Sequence, residues 1–157
     1  EGKPKIGHDL KEVTRVIETY LNVDNTSDAI LVGVGHLGTA LLAYNSFKKF
    51  ENSGIRIISA FDKNPVIIGQ QVHNISVFDV AKMENLISRM SIHVGIITTP
   101  PENAQEIAER MIHAGITAIW NFAPVKLKLP HEVVVENAEI ETGLTYISHM
   151  LKNRLKK

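Results

Sequence analysis

The stretch that most constrains the fold is Ala29-Ile-Leu-Val-Gly33-Val-Gly35-His-Leu-Gly38-Thr-Ala-Leu-Leu. It opens on a short apolar run, Ala29 to Val32, suited to a buried parallel strand. A glycine turn follows, and then Leu37, Ala40, Leu41 and Tyr44 fall at helical spacing. Gly33, Gly35 and Gly38 therefore form Gly-x-Gly-x-x-Gly between a strand and a helix, the setting a dinucleotide-binding turn needs. Gly33 permits the turn, Gly35 lets backbone approach a pyrophosphate, and Gly38 lets helix and strand pack closely. His36 and Leu37 stand inside the turn. The helix that starts there offers unpaired N–H groups and a partial positive charge to phosphates.

A second feature supports this reading. Gly54-Ile-Arg-Ile-Ile-Ser-Ala-Phe-Asp62 reads as the next strand and ends in an acid, 24 residues after Gly38. In a βαβ unit that spacing puts a carboxylate at the tip of the second strand, where it accepts the hydroxyls of an adenosine ribose. The same carboxylate repels a 2′-phosphate, so NAD is favoured over NADP. Lys63 follows directly and is placed with the cofactor contacts. The bland reading of Asp62 is a turn residue ahead of Lys63-Asn64-Pro65.

Length and composition narrow the class. A chain of 157 residues is one domain and buries a real core. Its formal net charge is +0, so no global field draws it to nucleic acid or membrane. It has no cysteine, which excludes disulfides and thiolate chemistry and fits the cytoplasm. No apolar run approaches a membrane span, and no signal peptide opens the chain. The first residue is Glu1 rather than Met, so these residues read as a processed form or part of a longer chain. The seven histidines are scattered without metal-binding spacing, and no metal site is expected.

Taken in order, Glu1 to Gly7 is irregular. A helix follows, with Asp9 as N-cap and Leu10, Val13, Val16, Ile17, Tyr20 and Leu21 as its apolar stripe. After the first strand the glycine-turn helix is expected to run to about Phe50. Lys63 to Val77 reads as a short excursion or hairpin before a strand near Ile75 to Phe78. Asp79 caps a helix carrying Val80, Met83, Leu86, Ile87 and Met90. Further strands are expected at 92–98, 116–121 and 133–135, with helices at 102–114 and 141–155. Alternating strands and helices give an α/β, Rossmann-like, doubly wound parallel sheet. We divide it into a linker and N-terminal helix (1–28), the nucleotide-binding domain (29–138) and a C-terminal helix (139–157). A ligand should sit over the carboxyl ends of the strands. The residues there are Gly33 to Gly38, Asp62, Thr98, Thr99, Pro100 and Asn121, Phe122, Ala123, Pro124.

Six stretches in order resemble one family. They are Gly2-Lys-Pro-Lys-Ile-Gly-His-Asp9, the glycine turn with Ala40-Leu-Leu-Ala-Tyr44, and Ala60-Phe-Asp-Lys-Asn-Pro65. Then come Pro100-Pro-Glu-Asn-Ala-Gln-Glu-Ile-Ala-Glu through Ala114-Gly-Ile, Trp120-Asn-Phe-Ala-Pro-Val, and Leu127-x-Leu-Pro. Together they are similar to the Rex family of redox-sensing transcriptional repressors, and the resemblance covers nearly the whole chain. It implies a domain that binds NADH and NAD+ competitively and represses genes of anaerobic metabolism when NADH is low. It also implies a homodimer that swaps its C-terminal helix. Matched by position, Tyr44 is the tyrosine that responds to the nicotinamide state, and Asn121 to Pro124 lies near the nicotinamide. Glu139 matches a position that is usually Asp in the family and there pairs with an arginine of the DNA-binding domain. Ile140 takes the place of a bulky apolar residue that reaches toward the partner's cofactor. The family's winged helix precedes this domain, so operator DNA would be bound only through residues outside this chain. His36 stands where Asn is common, with little expected effect, because backbone carries the phosphate contacts.

Other readings follow from the residues. The stripe of Leu144, Ile147, Leu151 and Leu155 on the last helix is long for one small domain to cover, and exchange between protomers would bury it. A dehydrogenase would need a substrate domain and an acid–base group near the nicotinamide, and only one helix follows the sixth strand. A CoA-binding module shares this kind of fold, but Asp62 disfavours the 3′-phosphate of CoA. A stand-alone NAD-binding accessory subunit would lack a winged helix upstream.

Overall fold

The computed structural model describes residues 10–17, 26–48 and 50–156. Residues 10–17 are helical (α1) and carry Leu10, Val13, Val16 and Ile17 exposed. The Asp9 cap, Tyr20, Leu21 and the irregular first seven residues lie outside the described residues. The body alternates strands and helices. These are β1 (Ser27–Val32), α2 (His36–Ser46), β2 (Ile55–Asp62), β3 (Gln71–Val72), β4 (Ile75–Asp79), α3 (Met83–Met90) and β5 (Val94–Ile97). Then follow α4 (Pro101–Ala114), β6 (Ala118–Asn121), β7 (Val134–Asn137) and α5 (Ile140–Leu155).

The strands form one sheet in the order β3-β4-β2-β1-β5-β6-β7. All neighbours are parallel except the edge pair β3–β4. β1 is first in sequence yet lies centrally, with β2 on one side and β5 on the other. The strand order reverses there, and such a switch point opens a crevice at the carboxyl ends of the strands. The expected doubly wound α/β architecture is the one found.

Alternation along β1 builds the two cores. Ile30 and Val32 face one side, where Phe61, Met83 and Ile87 and the α4 residues Ala104, Ala108 and Met111 bury them. Ala29 and Leu31 face the other, with Ile57, Ala60 and Val77 and with Leu42 of α2. Asn45, in the last turn of α2, bonds the backbone of Ile57 twice, donating to its carbonyl at 3.1 Å and accepting from its N–H at 2.9 Å. That side is otherwise thinly covered. An apolar groove of about 350 Å³ runs over it, lined by Phe50, Ile55, Val94, Ile96, Trp120 and Val134 among others.

Several boundaries move. α2 stops at Ser46 instead of Phe50; Phe47 is its C-cap, and Lys48 then takes a left-handed φ of 58°. Val80 leads a short 3-10 turn before α3, with Asp79 accepting from the Ala81 N–H at 2.9 Å as the cap. The hairpin after Asp62 is present. His73 and Asn74 both have positive φ, 48° and 68°, as the two-residue turn between β3 and β4 requires. α5 buries none of its residues.

Candidate functional site

The glycine turn joins β1 to α2 and each glycine can be read from its surroundings. Gly33 has φ of 104°, and a Cβ there would lie 2.7 Å from the Thr98 carbonyl. A Cβ on Gly38 would lie 2.0 Å from the Gly33 carbonyl oxygen. Gly35 differs from both: its φ is −90° and a Cβ would meet nothing within 4 Å. Gly33 and Gly38 are therefore demanded by the protein's own packing, whereas the space at Gly35 is open to a ligand. Gly35 is also the N-cap of α2, with no side chain bonded to the first turn and no acid within it. N–H groups left open in this way are suited to an anion.

Asp62 reaches this turn directly. Its Oδ2 accepts from the Val34 N–H at 2.7 Å and its Oδ1 from the Asn64 N–H at 2.9 Å. The carboxylate thus braces the turn while standing at the rim of the crevice. Each oxygen keeps acceptor capacity for a ribose hydroxyl. Thr98 braces the turn from the other side, its Oγ1 lying 2.6 Å from the Gly33 carbonyl and 3.1 Å from that of Val32. Thr99 Oγ1 is buried and has no hydrogen-bond partner among the described residues.

A cleft of about 690 Å³ lies over this arrangement. Gly33, Gly35, Leu37, Asp62, Lys63, Thr98, Thr99, Pro100, Phe122 and Pro124 all line it, ten of the residues the sequence nominates. The strand order gives the cleft direction: Asp62 and Val80 lie toward β4, Thr98 and Pro100 at the centre, and Phe122 and Pro124 toward β6. The β4 end holds residues the sequence reading missed, namely Val80, Asn103, Glu106, Ile107 and Arg110. Four of them stand on α4, whose helical periodicity marks only its buried side; nothing local separates cleft-facing residues from solvated ones. The Arg110 guanidinium bridges to Glu84 of α3 through Nε–Oε1 and through Nη2–Oε2 at 3.1 Å, and Nη2 donates to the Val80 carbonyl at 2.9 Å. The hydrogen bond from Arg110 holds the Glu84 carboxyl below its usual range, and Glu84 raises Arg110 in turn.

Five nominated cofactor contacts do not line the cleft. Gly38 lies beneath the turn. His36 starts α2 and is exposed. Tyr44 is half exposed and packs on Phe50 at 5.2 Å between ring centroids. Phe50 in turn meets Trp120 at 6.0 Å, and Trp120 meets Phe122 at 4.5 Å, so Tyr44 joins the cleft only through a row of aromatic rings. Ala123 is buried in the core on the α3–α4 side. Asn121 is 1% exposed and its amide is engaged by its own loop and by Asn137 of β7. Nδ2 donates to the Ala123 and Val125 carbonyls and to Asn137 Oδ1, and Oδ1 accepts from the Ala123 N–H at 3.0 Å. Its position fixes the shape of the Phe122–Pro124 end. The nominated interface residues stand together on or before α5. Glu139 accepts from Thr142 Oγ1 at 2.9 Å. Ile140, Leu144, Ile147 and Leu151 are 62%, 65%, 61% and 55% exposed, so the stripe finds no cover among the described residues. Among the described residues no group of His, Asp or Glu is placed to hold a metal ion, and no helix is long and apolar enough to cross a membrane.

Comparison with known proteins agrees with this geometry. Residues 24–125 match the family model of the CoA binding domain. The chain is 37% identical over 150 residues to the redox-sensing transcriptional repressor Rex of Clostridium beijerinckii, covering 96% of this chain and 70% of that protein. It is also 37% identical to Rex of Thermoanaerobacter sp. (strain X514), covering 96% of this chain and 66% of the relative. The chain thus spans about two thirds of the length of the curated relatives it matches. Among solved structures it is similar to RSP, a Rex-family repressor, with 38% identity and a TM-score of 0.80 over 92% of this chain and 68% of RSP. RSP is also known in complex with β-NADH, and with β-NAD+ and operator DNA. On this identity and coverage the chain belongs to the Rex family of redox-sensing transcriptional repressors.

Proposed function

We propose that these residues form the NAD(H)-binding, redox-sensing part of a cytoplasmic Rex repressor, in which NADH binding weakens operator binding by a winged helix outside this chain. The observation that carries the reading is the pairing of open space at Gly35 with the Asp62 carboxylate in one cleft. The diphosphate takes the N-terminus of α2, the adenosine ribose takes Asp62, and the nicotinamide lies toward Phe122 and Pro124. The 38% identity to RSP, which has been crystallised with both cofactor forms, supports the same ligand here. The domain reads the nicotinamide state without turning it over. Two copies associate through the C-terminal helix α5, whose exposed apolar stripe calls for a partner surface. His36, Tyr44 and Asn121 act around the site, through its electrostatics and its loops.

Calorimetric titration tests the ligand. NADH should bind, and NADPH should bind on the order of a hundredfold more weakly, because Asp62 opposes a 2′-phosphate at close range. Equal affinities would remove Asp62 from the ribose role. The match to the CoA binding domain favours a second reading, a CoA site. CoA binding tighter than NADH in the same titration would establish it.

A further inference from the structure

Arg110 lines the β4 end of the cleft beyond Asp62 and has the geometry to take a ligand group there. A guanidinium has five N–H donors. In Arg110 the Nε hydrogen goes to Glu84, and the two Nη2 hydrogens go to Glu84 and to the Val80 carbonyl. The two Nη1 hydrogens have no acceptor among the described residues, although Arg110 lines the cleft. Its plane is locked between α3 and the Val80 carbonyl, and its side chain is 27% exposed. Val80 and Ile107 line the same end of the cleft and make its surroundings apolar. Glu84 neutralises its charge and Glu106 stands nearby, which suits a neutral ligand group better than a phosphate. The neutral acceptors nearest the Asp62-bound ribose are the ring nitrogens of adenine.

We propose that Arg110 recognises the purine: Glu84 and Val80 fix its plane, and one free Nη1 hydrogen is donated to a ring nitrogen of adenine. The inference rests on the NAD(H) reading but adds a residue and an atom-level contact to it.

The test pairs a protein change with a ligand change. AMP and its 1-, 3- and 7-deaza analogues are titrated against the wild-type chain and against Arg110→Met, with NADH as control. One deaza analogue should bind the wild type about tenfold more weakly than AMP, the loss of one hydrogen bond from a charged donor. Arg110→Met should weaken AMP by a similar factor and bind AMP and that analogue alike. A role confined to bracing α3 against α4 would change stability but leave the wild type indifferent to the deaza series. If Arg110→Met does not fold, Arg110→Lys keeps the cation and should still lose most of the discrimination. Wild type that binds NADH without distinguishing any deaza analogue overturns this inference alone, as does discrimination that survives in both variants. Wild type that binds neither NADH nor AMP overturns the cofactor reading and this inference with it.

Discussion

Gly35 and Gly38 stand three residues apart in one turn and are glycine for opposite reasons. At Gly38 the protein itself fills the space, so Gly38→Ala drives a methyl into the Gly33 carbonyl and should cost about 3 kcal/mol or more, read as a lowered Tm. At Gly35 the backbone is already extended and the space is open. Gly35→Val should leave stability within about 1 kcal/mol of wild type while abolishing NADH binding by calorimetry. A large fall in Tm for Gly35→Val would mean that the gap is structural after all. Asp62 combines both kinds of role. In Asp62→Asn one oxygen serves one backbone N–H, while the amide group confronts the other donor. We expect a loss of about 1–3 kcal/mol of stability and a much smaller preference for NADH over NADPH. The glycines and Asp62 were legible in the sequence because a fixed spacing encodes a fixed geometry. Asn121 was legible as important, but its work inside its own loop was not. A buried amide satisfying four backbone and side-chain groups leaves no periodic trace.

At the scale of elements, the parallel strands and the edge hairpin were legible from apolar runs broken by glycine, proline and asparagine. The far wall of the cleft was not. Val80, Glu106, Ile107 and Arg110 come together only when β4 and α4 meet across the switch point, and no local pattern announces that. Helix ends also shifted, as at Ser46, where Asn45 bonds to β2 and the chain turns away. α5 is the clearest case in which pattern and structure agree on an unfinished surface. Its stripe is apolar at helical spacing and stays exposed in the single chain. Burying each Leu or Ile against a second copy is worth about 1.5–3 kcal/mol, ample to drive association. Deleting Thr142 to Lys157 should therefore give a monomer or an aggregate by multi-angle light scattering. An unchanged dimer would exclude α5 as the interface.

At the scale of the whole molecule, sensing requires more than binding. A ligand shifts a conformational equilibrium only by its difference in affinity for the two states. Moving a repressor from mostly competent to mostly released, 99:1 to 1:99, takes about a 10⁴-fold difference. Oxidation places a positive charge on the nicotinamide ring, and an apolar environment opposes it. Phe122 and Pro124 line the end assigned to that ring, and a second copy's Ile140, exposed at the start of α5, is suited to complete the enclosure. NADH should then bind more tightly than NAD+, and the enclosure would tie cofactor occupancy to the way two copies sit together. The chain's single tryptophan, Trp120, touches Phe122 on one side and Phe50 on the other, so its fluorescence should report cofactor and dimer geometry at once. By themselves, residues 1–157 should show no sequence-specific operator binding and no NADH turnover with small carbonyl acceptors. A family winged helix fused upstream of Glu1 should confer operator binding that saturating NADH weakens and NAD+ does not. Ile140→Ala in that fusion should narrow the gap between the two cofactor forms by opening the enclosure to water. If the fusion holds operator equally with and without NADH, the sensor reading fails and an NAD-binding accessory subunit takes its place.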